Sequence, residues 1–314
     1  MSIIPAPGPR PTVAKLTTPL GRNPTSYEPE YTVKSDRVIF STSLDRVFDS
    51  WNLHVYNHGQ IWLEQDLPHA FLIAGGITRL TNTGSIYLHG GSQVQLGREM
   101  DYLHNTGSII VTSNKGWARG VENYGNTFID NSGILAVQSL VDDGQPYFGG
   151  NATAIDVGGL ELRNRVGGQI LAEAPELAIA VYASQSANPT PGVPMVVNWG
   201  LIEANSTGPD GASFGVYLVN RGYGITPINN GGTIRAEFAI YGVSDNGDVP
   251  NPSFTINNLS SGIIDGLIWL DYGNDKVTND GKVIGSVFME DGDDTYSGSG
   301  SVSGVVHMGF GNDS

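Results

Sequence analysis

In 314 residues this chain carries 31 acids against 16 Lys and Arg, a net charge of −15, with 43 Gly and no Cys. The charge argues against nucleic acid and anionic membrane as partners, and the missing cysteines exclude disulfides and thiolate metal sites. Glycine-rich composition with only 15% charged residues suits stacked strands and turns, and repeat folds escape the length rule that would give two domains.

Residues 1–36 read as a proline-rich N-terminal arm, with Pro5, Pro7, Pro9, Pro11, Pro19, Pro24 and Pro29. Such a segment is extended, and either lies along the rest of the chain or serves as a linker. It has no apolar h-region, so no Sec signal peptide is expected. No run in the chain approaches the length of a membrane-spanning helix, so no membrane insertion is expected.

Residues 37–255 form an irregular body. Strand alternation begins near Arg37, and a signature Asn-x-Gly-x-Ile then recurs at Asn57–Ile61, Asn82–Ile86 and Asn105–Ile109. Looser copies start at Asn131, Asn198, Asn230 and Asn279, and stretched ones at Asn164 and Asn258. Asn and Gly make the turn, and the β-branched residue points into the coil. Asn side chains stacked coil on coil can hydrogen-bond to one another. The signature glycines, at 59, 84, 107, 133, 168, 200, 232, 262, 281 and 300, mark about ten coils. The spacing predicts an all-β, right-handed parallel β-helix roughly 50 Å long at ~4.8 Å per coil. Extra length in the middle coils falls at Leu140–Asn151, Ser184–Pro194 and Ser206–Gly211. Insertions on a solenoid map to loops, often on the binding side.

Residues 256–314 repeat with a fixed period of 19. Gly273, Gly292 and Gly311 keep that step, as do Asp275, Asp294 and Asp313. Asn274, Asp293 and Asn312 stand beside them. A unit this short must stack on its neighbours, which turns the aspartates into a ladder. Nine acids face only Lys276 and Lys282 between 255 and 314. Like charges ~5 Å apart repel by about 1 kcal/mol per pair in water and more when partly buried. A hard cation such as Ca²⁺, which takes carboxylate and carbonyl oxygens, relieves that repulsion.

Leu270–Val277, Met289–Tyr296 and Met308–Ser314 resemble the second halves of haemolysin-type (RTX) calcium-binding nonapeptides. The resemblance implies calcium at Gly273, Asn274, Asp275, Gly292, Asp293, Asp294, Gly311, Asn312 and Asp313, held by turn carbonyls and aspartates. One such turn per 19 residues, instead of one per nine, departs from that family. Separately, coils from about 50 to 310 resemble passenger regions of bacterial autotransporter adhesins. Together these imply a secreted or cell-surface bacterial adhesin or structural protein, exported by a type I route. Its implied partner is a cell-surface or extracellular carbohydrate.

Two alternatives stay open: a carbohydrate-active β-helix enzyme (polysaccharide lyase, hydrolase or epimerase) and a phage tailspike-like module. An acid pair on one face within ~10 Å is what a glycosidase needs. Asp142, Asp143, Asp156 and Glu161 are the candidates, with Arg163 and Arg165 to hold a uronate. His54, His58, His69, His89 and His104 make a metal site only if about three converge. Trp51, Trp62, Trp117, Trp199, Tyr147, Phe148 and Tyr182 either stack sugars or fill the solenoid.

Overall fold

The computed structural model describes residues 2–12, 16–17, 19–20, 30–44, 46–48, 53–65, 69–73, 77–91, 93–97, 99–114, 116–140, 150–185, 195–220, 226–244 and 253–314. Every paired strand within them runs parallel to its partner, in one 29-stranded sheet. Partners in the pairing are one coil apart, so the sheet winds into a parallel β-helix, as the repeats predict.

Each coil offers three strands, on faces termed A, B and C. A-face strands end at Val33, Asn57, Asn82, Asn105, Asn131, Asn164, Asn198, Asn230, Asn258, Asn279 and Ser297, eleven rungs in all. The sequence marks about ten. The extra rung is the first, Glu30–Val33, which pairs with Leu53–Asn57 inside the segment expected to be arm. It carries valine where the next nine carry asparagine, so the signature is silent there.

Those nine asparagines form an internal ladder. Each Nδ2 from Asn57 to Asn258 donates to the Oδ1 of the next coil's asparagine, at 2.7–2.9 Å, and Asn279 donates to the Tyr296 hydroxyl. The second Nδ2 hydrogen reaches a backbone carbonyl in the next coil, such as Asn57 to Ser85 and Asn164 to Leu201. All nine are at most 1% exposed. Burying amides without partners costs heavily, and stacking supplies the partners. Asn57 Oδ1 is the exception, buried without a partner, because Val33 stands opposite. The glycine two residues on has its own reason. A Cβ on Gly107 would sit 2.0 Å from the carbonyl oxygen of Gly84 in the coil below.

Alternate residues point inward and fuse into one apolar core. Val55, Leu80, Leu103, Ile129 and Leu162 stack on the A face, and Ile61, Ile86, Ile109, Leu135 and Ile170 on the B face. In the last coils all three faces pair with the same 19-residue offset, Lys276 with Thr295, Lys282 with Ser301 and Val287 with Val306. In chain order the insertions around 140–151 and 206–211 fall between B-face and C-face strands, and that around 184–194 between a C-face and an A-face strand. Residues 141–149 and 186–194 lie outside the described residues.

The N-terminal arm lies along the rod. Ile3 and Ile4 pack on Ile110, Ala136 and Leu171, an outward column of the B face. Ser2 Oγ and the Ile3 amide donate to the Glu173 carboxylate at 2.6 and 2.8 Å. Glu173 is 3% exposed and also accepts from Gln138 at 2.6 Å. Toward the first rung, Arg10 pairs with Glu64 at 3.1 Å and stacks on Phe40. Leu16 and Leu20 then donate backbone bonds to Phe40 and Val47.

Candidate functional site

The C-terminal aspartates stand in register as the 19-residue period predicts. The Asp275 carboxylate accepts the Phe254 amide at 2.7 Å, Asp294 accepts the Asp275 amide at 2.8 Å, and Asp313 accepts the Asp294 amide at 3.0 Å. Each acid thus ties its own coil to the one before. Asp275 and Asp294 are 1% exposed, and the second oxygen of each, Oδ2, is buried without a hydrogen-bond partner. Burial pushes the Asp275 carboxyl up to about 8; the Phe254 amide opposes this, and the Asp294 and Asp271 charges add to it. Burial likewise raises Asp294 to about 6, opposed by the Asp275 amide, with the Asp313 and Asp293 charges adding.

The neighbouring row behaves differently. Asn274, Asp293 and Asn312 are exposed. They form their own column, in which Asn274 Oδ1 accepts the Asp293 amide and Asp293 Oδ1 accepts the Asn312 amide. Successive residues of an extended chain point to opposite sides, so the two rows do not join in one cage. Among the described residues no group of three or more His, Cys, Asp or Glu side chains is close enough to hold a metal ion. What suits a hard cation is the inner row, where dehydrated carboxylate oxygens lack partners in successive coils. Gly273, Gly292 and Gly311, with φ of 137°, 156° and 156°, set the turn beside it. A Cβ on Gly292 would lie 1.7 Å from the Gly273 carbonyl oxygen.

A second site lies on the C face. Glu122, Asp156, Tyr182, Tyr217, Tyr241, Trp269, Phe288 and His307 pair one to the next in register, a single lateral column. At its head Arg119 Nη1 reaches Glu122 at 2.8 Å and Asp156 at 3.4 Å. The guanidinium lies over Trp117, 5.0 Å from the ring centre, and Gln95 donates to Glu122. Arg119, Glu122, Asn123, Asp156, Tyr182 and Ser184 line a cleft of about 570 Å³. Burial raises the Asp156 carboxyl above its ordinary range, against the pull of Arg119 and with the Glu122 charge adding.

Of the described acids and arginines weighed as catalytic, only Asp156 falls in this cleft. Glu161, Arg163 and Arg165 belong to the A-face run and its following turn. Arg163 binds Glu161 at 2.7 Å, and Arg165 binds Asp130 at 3.0 Å through Nη2. That pairing, foremost the Arg165 hydrogen bond, holds Asp130 below its usual range. Both arginines thus have acid partners before any uronate arrives. Asp142, Asp143, Trp51, Tyr147 and Phe148 lie outside the described residues.

His54 and His104 sit on the A face, His89 on the B face and His69 on the C face. His58 occupies an A–B turn and bonds Thr83. They do not share one face. Trp62 and Trp117 are largely buried, while Trp199 is exposed in a turn. Glu122 and Arg119 carry no signature of their own. Their place appears only once the 34 residues between Glu122 and Asp156 are counted as one coil. Set against known protein families, curated proteins and solved structures, the chain has no match.

Proposed function

We propose that this chain is a secreted or cell-surface bacterial β-solenoid, an adhesin or structural rod, whose C-terminal coils are stabilised by calcium. The observation that carries the reading is the inner aspartate row, with an unpartnered oxygen on both Asp275 and Asp294. A row of dehydrated carboxylates either keeps protons or takes up a hard cation, and calcium accepts irregular oxygen sets. Export into a calcium-rich medium then favours the folded row, by mass action on the folded state alone. The test is thermal melting of the full chain at pH 8 in millimolar CaCl₂ and in chelator. Calcium is expected to raise the melting temperature, and Asp294→Asn to remove most of the gain. Identical melting in both media overturns the calcium assignment.

One observation favours a second reading, a carbohydrate-active enzyme. Glu122 and Asp156 share Arg119 Nη1, so their nearer oxygens are no more than about 6 Å apart, a limit that admits the closer, retaining type of glycosidase acid pair and excludes the wider, inverting one. Reducing-end release or new ultraviolet absorbance over a polysaccharide panel, lost in Asp156→Asn, would favour this reading over a binding rod.

A further inference from the structure

We infer that the aromatic column of the C face, with the cleft at its head, seats an extended polysaccharide that carries no acid groups and lies parallel to the rod axis. The inference rests on reading the chain as a surface rod and names what that rod holds.

Six consecutive rungs each place one ring in the column: Tyr182, Tyr217, Tyr241, Trp269, Phe288 and His307. Ring centres follow at 5.2, 5.0, 6.4, 5.7 and 6.0 Å. The core does not require them. Their inward neighbours Val181, Val216, Ile240, Ile268 and Val287 are at most 1% exposed and already fill it. The column itself is half-buried, and exposed at His307. The other faces treat the same rungs differently. The B face turns Glu203, Arg235 and Asp265 outward, and the A face turns out Asn229, Asn257 and Thr278. Water-facing strands ordinarily look like those two faces. The B face has its own aromatic run at Phe40, Trp62 and Tyr87, but in the first coils. Over the rungs from Tyr182 to His307 the continuous aromatic run lies on the C face, and such a run marks a binding surface.

The occupant follows from period and charge. The rings come one per rung, edge to face from Tyr182 to Tyr241 (78° and 89°) and more nearly parallel from Trp269 to His307 (34° and 31°). They thus offer ring edges and faces in turn to the C–H groups of pyranoses, whose repeat in an extended chain is close to one rung. Rigid rings lose little entropy when they are covered. The chain's net charge is −15, and at the head Glu122 and Asp156 outnumber Arg119. A polyanionic sugar or a nucleic acid is repelled there, whereas hydroxyls can donate to Asp156, whose side chain is 27% exposed.

The test is titration calorimetry on the full chain with neutral hexasaccharides (cello-, xylo-, manno- and chito-series), their trimers and hexagalacturonate. At least one neutral hexamer is expected to bind, more tightly than its trimer and at least tenfold more tightly than hexagalacturonate. Trp269→Ala and Tyr217→Ala should each weaken it about tenfold, as truncated anchor residues do. Trp269→Phe and Tyr217→Phe should keep most of the affinity, and unchanged melting of all four shows that the fold is intact. Binding by no neutral hexamer, equal binding by the alanine variants, or tighter binding of hexagalacturonate overturns the inference. Because calcium-dependent melting is read separately, it can survive that failure, and the rod then stands without this ligand.

Discussion

Asn164→Ala removes one link from the middle of the internal amide ladder. The wild-type side chain accepts from Asn131 at 2.9 Å and donates to Asn198 at 2.8 Å and to the Leu201 carbonyl at 3.1 Å. Asn131 keeps the Gly133 and Gln169 carbonyls, and Asn198 keeps the Gly200 amide, so neither neighbour is stripped bare. Losing the buried bonds at roughly 1 kcal/mol each, plus a small cavity, gives a destabilisation of about 3 kcal/mol. Asn57→Ala is the internal control. Its Oδ1 has no partner, so only its donated bonds to Asn82 and Ser85 are lost. The expected cost there is about two-thirds as large, about 2 kcal/mol. Urea unfolding followed by circular dichroism gives the two midpoints, and hydrogen exchange at Ile170 and Ile202 locates the loss. An Asn164→Ala variant within about 0.5 kcal/mol of wild type, or one more stable than Asn57→Ala, would refute the ladder as a source of stability.

Further outcomes follow from the same physics. Asp275 has its folded-state pKa raised from 3.8 to about 8, so the folded chain holds a proton that the unfolded chain has released. Its contribution to stability is therefore full below pH ~4 and is lost as pH rises through about 8; without divalent cations the melting temperature should decline from neutral pH through that value, and Asp275→Asn should flatten the decline. Gly292→Ala places a methyl 1.7 Å from the Gly273 oxygen at a φ of 156°. At least ~3 kcal/mol of local stability should go, read as lost exchange protection at Thr295 and Val277. Arg119→Ala leaves the 4%-exposed Glu122 without its cation. A loss of about 3 kcal/mol at pH 7 is expected, largely recovered in Arg119→Ala/Glu122→Gln by the same urea assay.

Where the period is constant, the sequence announces the geometry. Asp275, Asp294 and Asp313 stack because every coil there has the same length, and the repeated Asn-x-Gly fixes one corner of the body in the same way. The C face is hidden because its coils differ in length. Tyr182, Tyr217 and Tyr241 align in space although 35 and 24 residues separate them. The first rung escapes notice because Val33 stands in the asparagine position. The inward turn of Asp275 against the outward turn of Asn274 is legible in principle from strand alternation, but treating the pair as one ligand set conceals it. Nothing near Glu173 in the sequence indicates that Ser2 and Ile3 are its partners, since 170 residues separate them.

Coils in such a rod touch only their neighbours, which leaves them free to peel off one at a time. The strap from Ser2 to Leu20 abolishes that independence at one end, since it grips the sixth coil at Glu173 and the first at Phe40 and Val47. Fraying that spreads from the acidic coils should therefore halt near Glu173. A load applied to the N-terminus would shear off this strap before any coil unwound, so the molecule has a built-in mechanical polarity.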